Sequence, residues 1–104
     1  MQFTALMEAA SRGHAGVVFW LCEAKATVDL RTPNGLTALT LASHNNRVDC
    51  VRVLLVQGAS PATYTQAVEV AAHCGNTAVL EVLGDKRLQD PQRRKEIYRQ
   101  LKES

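Results

Sequence analysis

No stretch of this 104-residue chain approaches the roughly 18 consecutive apolar residues that a membrane helix needs. The N-terminus also lacks a charged segment followed by an apolar run, so neither a bilayer span nor a secretory signal is expected. The three cysteines, Cys22, Cys50 and Cys74, are odd in number and widely spaced, which argues against a disulfide framework and against a Cys-x-x-Cys metal site. A reduced, intracellular setting, cytoplasmic or nuclear, is the expectation. Gly-rich phosphate loops and a nucleophile elbow are missing, and the titratable residues do not converge in any pattern that catalysis would need. Neither an enzymatic activity nor a cofactor is therefore expected. The formal net charge is only +2, and it is uneven. Up to Leu83 five Lys and Arg face six acids, whereas from Gly84 on seven bases face four acids, so only the tail is basic.

What the chain does have is a repeat. Thr4, Ala5, Leu6 and Ala9 recur as Thr37, Ala38, Leu39 and Ala42, a period of 33 residues. Self-similarity at such a period marks stacked supersecondary units, none of which buries its apolar face alone. With 46% apolar residues the chain supports one compact core. In the first unit Ala5, Leu6, Ala9 and Ala10 fall at helical spacing and Gly13 ends the helix. Val17, Val18, Trp20, Leu21 and Cys22 then make a second helix, apolar widely enough to be covered on two sides. From Lys25 to Leu36 the chain is polar and irregular, and Asn34-Gly35 signals a tight turn in a protruding, hairpin-like loop. The second unit repeats the plan with Ala38, Leu39, Ala42 and Ser43, then Val48 to Val56, with Gly58 as the stop.

The stretch Gly35-Leu36-Thr37-Ala38-Leu39-Thr40-Leu41-Ala42-Ser43, followed by Val51-Arg52-Val53-Leu54-Leu55-Val56-Gln57-Gly58-Ala59, resembles the ankyrin repeat, a 33-residue unit with a Thr-Pro-Leu-His-x-Ala core. Thr4 to Ala10 with Gly13-His14 resembles the same pattern. Both units have Ala in place of the Pro and Met7 or Thr40 in place of the His, which predicts weaker contacts at the loop and helix start. A third, shorter unit carries Ala67, Val68, Ala71, Ala72, Gly75, Val79, Leu80, Val82 and Leu83. It matches the second at an offset of 29, with four loop residues missing, so a helix pair without a protruding loop is expected. The predicted architecture is an all-α ankyrin-repeat solenoid of three helix-turn-helix units, about 2–30, 31–62 and 63–83, with residues 84–104 as linker and C-terminal amphipathic helix. Repeat sequence so close to Met1 suggests a piece of a longer protein. Asp90-Pro91 is a good helix start, and Arg94, Ile97, Tyr98 and Leu101 form a narrow stripe able to fold back over the last repeat.

The resemblance implies a non-enzymatic module that binds another protein or a peptide segment through its concave face and loop tips. Carried over position by position, the loop residues are Phe3 and Leu36, the exposed helix positions are Glu8, Leu41 and Val70, and the helix ends are Ser11/Arg12, His44/Asn45 and His73/Cys74. Phe3, Leu36, Leu41 and Val70 would form an apolar strip, with Arg31, Asn34 and His44 setting orientation by hydrogen bonds. The competing reading has Phe3 and Leu36 packing against neighbouring loops. His44 and His73 are equivalent positions with Cys74 beside one, but a tetrahedral zinc site lacks a fourth ligand, and an exposed polar row is preferred. Phe19, equivalent to Arg52 and Glu81, is an aromatic at an outward position, and the first unit has no visible cap. Missing N-terminal repeats, a partner or self-association would each cover Phe19, and the absent cap favours excision from a longer array or an extra binding surface at that end. Two further possibilities are that the chain is the recognition arm of a larger enzyme or scaffold, and that Arg93, Arg94, Lys95, Arg99 and Lys102 touch nucleic acid. Glu96 and Glu103 interrupt that basic run, and Tyr98 is its only ring, so a solvated helix face is preferred.

Overall fold

A computed structural model describes residues 4–85, 88 and 90–103. Seven helices and no strand occur among them: α1 Ala5–Arg12, α2 Ala15–Glu23, α3 Ala38–His44, α4 Val48–Val56, α5 Pro61–Cys74, α6 Thr77–Leu83 and α7 Pro91–Glu103. Phe3 lies outside the described residues.

The first helices start on hydroxyl caps. Thr4 Oγ1 accepts from the Met7 N–H at 3.1 Å. In the second unit Thr37 Oγ1 accepts from the Thr40 N–H at 3.3 Å while Thr40 Oγ1 accepts from the Thr37 N–H at 2.7 Å, a reciprocal capping box. The weakening expected where Thr40 replaces His is therefore not what the structure shows: a hydroxyl at the third helical position reaches back and satisfies the orphan backbone donor. In the third unit Ser60 caps α5 and Pro61 occupies its first turn, where a missing N–H has no cost. The helix consequently begins two residues ahead of the boundary read from the repeat, and residues 61–66 are helical where the second unit has loop ahead of α3.

One backbone position recurs at the turn between the paired helices. Gly13, Asn46 and Gly75 are equivalent and all left-handed, with φ of 84°, 58° and 72°. Asn is the non-Gly residue that tolerates this region, which explains how the middle unit dispenses with glycine there. The long loop before α3 is closed by Thr32 and Leu36, whose N–H and C=O exchange bonds of 2.8–3.0 Å with the Thr32 backbone and hydroxyl. Pro33 and Asn34 sit at the turn's centre, and of the Asn34-Gly35 pair only Gly35 takes positive φ, 82°.

The helices stack in two layers. α1, α3 and α5 pack side by side, α2, α4 and α6 form the second row, and each pair also packs within itself. The core runs between the layers through Leu6, Met7, Val18, Leu39, Val51, Leu54, Ala67, Val79 and Leu83. Small residues at Ala10, Ala42 and Ala71, all fully buried, allow the close approach of the first helices.

Two expectations need correction. α2 is apolar all round but is not covered on two sides: Val17 is 50% and Trp20 68% exposed. α7 does not cap the last repeat alone but runs back across the second row. Arg94 Nε donates to the Leu88 carbonyl at 2.9 Å, α7 packs against α4, and Tyr98 reaches unit one. There its ring lies 5.9 Å from that of Phe19, and its hydroxyl donates to Glu23 Oε1. Phe19 is thereby buried, so the odd outward aromatic is the seat of the C-terminal helix. The Tyr98 hydroxyl titrates above its ordinary range, first because of that hydrogen bond, then through burial and the Glu23 charge.

Candidate partner-binding surface

The turns that join paired helices are stitched to one another across units. Arg47 Nε donates to the Ser11 carbonyl at 3.1 Å, and Asn76 Nδ2, at the equivalent place in the third unit, donates to the Ser43 and His44 carbonyls at 2.7 and 3.1 Å. These bonds satisfy carbonyls left open at the helix C-termini and lock each unit's rotation on the one before. Asn45 joins the same seam, donating to the Ser11 carbonyl at 3.2 Å and to its hydroxyl at 2.8 Å. Sequence reasoning offered Asn45 to a partner; its amide nitrogen is already engaged inside the stack. His44 remains exposed beside it, its Nδ1 3.2 Å from Asn45 Oδ1.

The loop tips are held from the other side. Asp29 Oδ1 accepts from the Ser60 N–H at 3.1 Å and from the Thr63 hydroxyl at 3.3 Å, tying the long loop before α3 to the start of α5. Gln66 Nε2 donates to the Gly35 carbonyl at 3.1 Å, which fixes the tip of the same loop against α5 one turn before Val70. Neither Asp29 nor Gln66 was singled out from the sequence. Polar residues at non-repeating positions carry no periodic signal, and their partners lie 31 or more residues away.

Among the predicted contact residues, Leu36 and Val70 are half-buried and stand outside the core cluster, whereas Leu41, also half-buried, packs against it. The Gln66 bond brings Leu36, next to Gly35, to the α5 face that carries Val70. Glu8 and Arg12 pair with each other at 2.8 Å along α1, and Arg31 Nη1 reaches the Gly35 carbonyl at 3.4 Å. Asn34 and His73 are exposed. An exposed ion pair one turn apart contributes no more than about 0.5 kcal/mol, so Glu8 and Arg12 stay available to exchange partners.

Other chemistry is sparse. Cys22 and Cys50 are buried free thiols; burial, then the neighbouring Glu23, pushes Cys22 up from its ordinary 9.0 to about 11. Cys50 is raised by burial and then by Asp49, with Arg47 opposing. Cys74 is exposed. Among the described residues, no group of three or more His, Cys, Asp and Glu gathers as a metal site would require. On α7, Arg94 is engaged by Leu88 and Arg99 lies 3.8 Å from Glu96. Among the described residues no helix is long and apolar enough to cross a membrane.

Paired helices of fixed register, stacked through capped turns and loops that reach the next unit, define a solenoid repeat protein. A family model described as ankyrin repeats (3 copies) matches residues 6–95, and the chain belongs to the ankyrin repeat family. Ankyrin repeats are generally protein-protein interaction modules and typically carry no catalysis of their own. The match extends past Leu83, where the repeat visible within the sequence ends.

Proposed function

We propose that the protein binds an extended segment of another protein along the side formed by the loop tips and the first helices. The observation that supports this reading is that Leu36 and Val70, apolar residues of different units, are half-buried and outside the core cluster, while the Gln66–Gly35 bond ties the loop residue before Leu36 to the helix turn before Val70. Apolar groups left over after the core is satisfied, on a rigid surface rimmed by polar residues, are what an interface uses as anchors. Leu41, half-buried and packed against the core, is the third apolar residue of the proposed strip. In this reading the exposed Asn34, Arg31, His44 and His73 supply hydrogen-bonding groups, and Glu8 with Arg12 does so on unit one.

Selection of a displayed peptide library on the protein tests this. Selected peptides are expected to lose binding by about tenfold or more, on the order of 1.4 kcal/mol, with Leu36→Asp or Val70→Asp. They should retain it with Lys95→Glu, which alters the basic helix instead. Binding that follows Lys95 and ignores Leu36 and Val70 would contradict the proposed surface. Because Leu36 and Val70 lie outside the core, both variants should keep the helical circular dichroism of the parent.

A further inference from the structure

Residues 57–60 join α4 to α5, where residues 24–37 join α2 to α3. The short connection carries no long loop to fill the space beside the end of α4. A hollow of about 270 Å³ lies there, open on one side and lined by Leu55, Ala59, Pro61, Tyr64, Leu88 and Arg94. Its walls are apolar. The Tyr64 hydroxyl donates to the Leu83 carbonyl at 2.6 Å, so this residue turns its ring to the hollow and its polar end to the backbone.

Arg94 is the one charged member of the lining. Its Nε donates to the Leu88 carbonyl at 2.9 Å, which holds the guanidinium by one edge, and neither Nη makes a bond among the described residues. The carboxylates on the neighbouring elements are engaged by other donors: Asp29 Oδ1 by the Ser60 N–H and the Thr63 hydroxyl, Asp90 Oδ1 by the Gln92 N–H at 2.9 Å. No ion pair engages Arg94 among the described residues. From Gly84 to Lys95 the chain carries five bases and two acids, so the stretch attracts anions. A half-buried guanidinium beside apolar walls gains more from a carboxylate than one in open water, and its fork suits two parallel bonds.

Charge and apolar wall share one small space, which selects the occupant. In an extended peptide an internal acidic side chain and its apolar neighbour point to opposite faces. In a chain-terminal residue the carboxylate and the side chain leave the same Cα. Size agrees, because sites for whole small molecules run to roughly 300–1,000 Å³ and are more enclosed. We propose that the hollow binds the C-terminus of another polypeptide, with a leucine-sized terminal side chain among Leu55, Tyr64 and Leu88 and the terminal carboxylate on the two Nη groups of Arg94. None of these residues belongs to the strip of Leu36, Leu41 and Val70, so the two surfaces stand or fall separately.

Fluorescence anisotropy of the full chain with a short labelled glycine-serine peptide ending in leucine tests this. The free acid should bind saturably, and its C-terminal amide about tenfold more weakly or worse. An amidated peptide carrying glutamate directly after the leucine should bind as poorly as the amide. Arg94→Gln should erase the preference for acid over amide. Ala59→Met, which fills the hollow and keeps the charge, should weaken the acid about tenfold, and Lys95→Gln, outside the lining, should change nothing. Equal binding of acid and amide, a preference that survives Arg94→Gln, or no saturation up to millimolar peptide would overturn the proposal. Unchanged acid binding by Ala59→Met would also overturn it, and this variant leaves the bond between Arg94 and Leu88 in place. Tighter binding of the glutamate peptide than of the free acid would overturn it in favour of an internal acidic segment.

Discussion

Units one and two follow the same plan thirty-three residues apart, yet matching side chains meet opposite fates. Val17 and Cys50 are equivalent, as are Trp20 and Val53; the first of each pair is exposed and the second buried. Local pattern is the same, and neighbours differ: unit two has a helix pair on both sides, unit one on a single side among the described residues. Burial in a solenoid therefore belongs to the interface between units and not to the unit, which is the nearest-neighbour character of such stacks.

Substitutions at matched positions sharpen the comparison. The largest difference is expected at Leu54 and its counterpart Leu21, fully buried and half-buried respectively. Leu54→Ala should destabilise by about 3 kcal/mol through lost transfer energy and a cavity. Leu21→Ala should cost about 1 kcal/mol, and equal values in urea unfolding would remove the distinction. Next come the caps. Thr37→Ala breaks a buried reciprocal box and should cost about 1.5 kcal/mol, whereas Thr4→Ala, a single half-buried bond, should cost about 0.5 kcal/mol.

A smaller effect has the opposite sign. Lys25, in the left-handed region at φ 72°, is equivalent to Gly58 at φ 96°. An L side chain is disfavoured there, so Lys25→Gly should stabilise by about 0.5 kcal/mol after its greater unfolded-state entropy is counted, and a loss of stability would show that Lys25 is held by something other than its backbone. The smallest effect is the pH dependence set by the buried thiols, which is flat at neutral pH. Cys22 keeps its proton longer folded than unfolded, so its contribution to stability is complete below pH 9 and declines as pH rises toward about 11. Cys50 acts in the same direction. Replacing Cys22 by Ala should flatten that alkaline decline, measured by thermal unfolding across the window.

The repeat, its helix pairs and most of its stops were readable because they rest on short-range chemistry: hydroxyl caps at Thr4 and Thr37, a left-handed residue at Gly13, and apolar spacing on α3 and α4. Asn46 could be placed by equivalence alone. The course of α7 could not, because an amphipathic stripe of Ile97, Tyr98 and Leu101 says that a helix needs an apolar surface without saying which one. The answer was written at Phe19, some eighty residues earlier, and only as an anomaly. Of the candidate surface, the positions were legible by equivalence and the surroundings were not: Leu36 and Val70 are half-buried outside the core cluster, Asn45 is engaged within the stack and Leu41 leans on the core.

By itself the sequence determined the unit, its period and its turns, since these depend on residues within a few positions of one another. Only the tertiary structure decided which identical-looking faces are covered, where the C-terminal helix lies and which polar groups stay free. Those outcomes depend on contacts between segments tens of residues apart, and periodicity carries no information about which of several equivalent neighbours a face will meet.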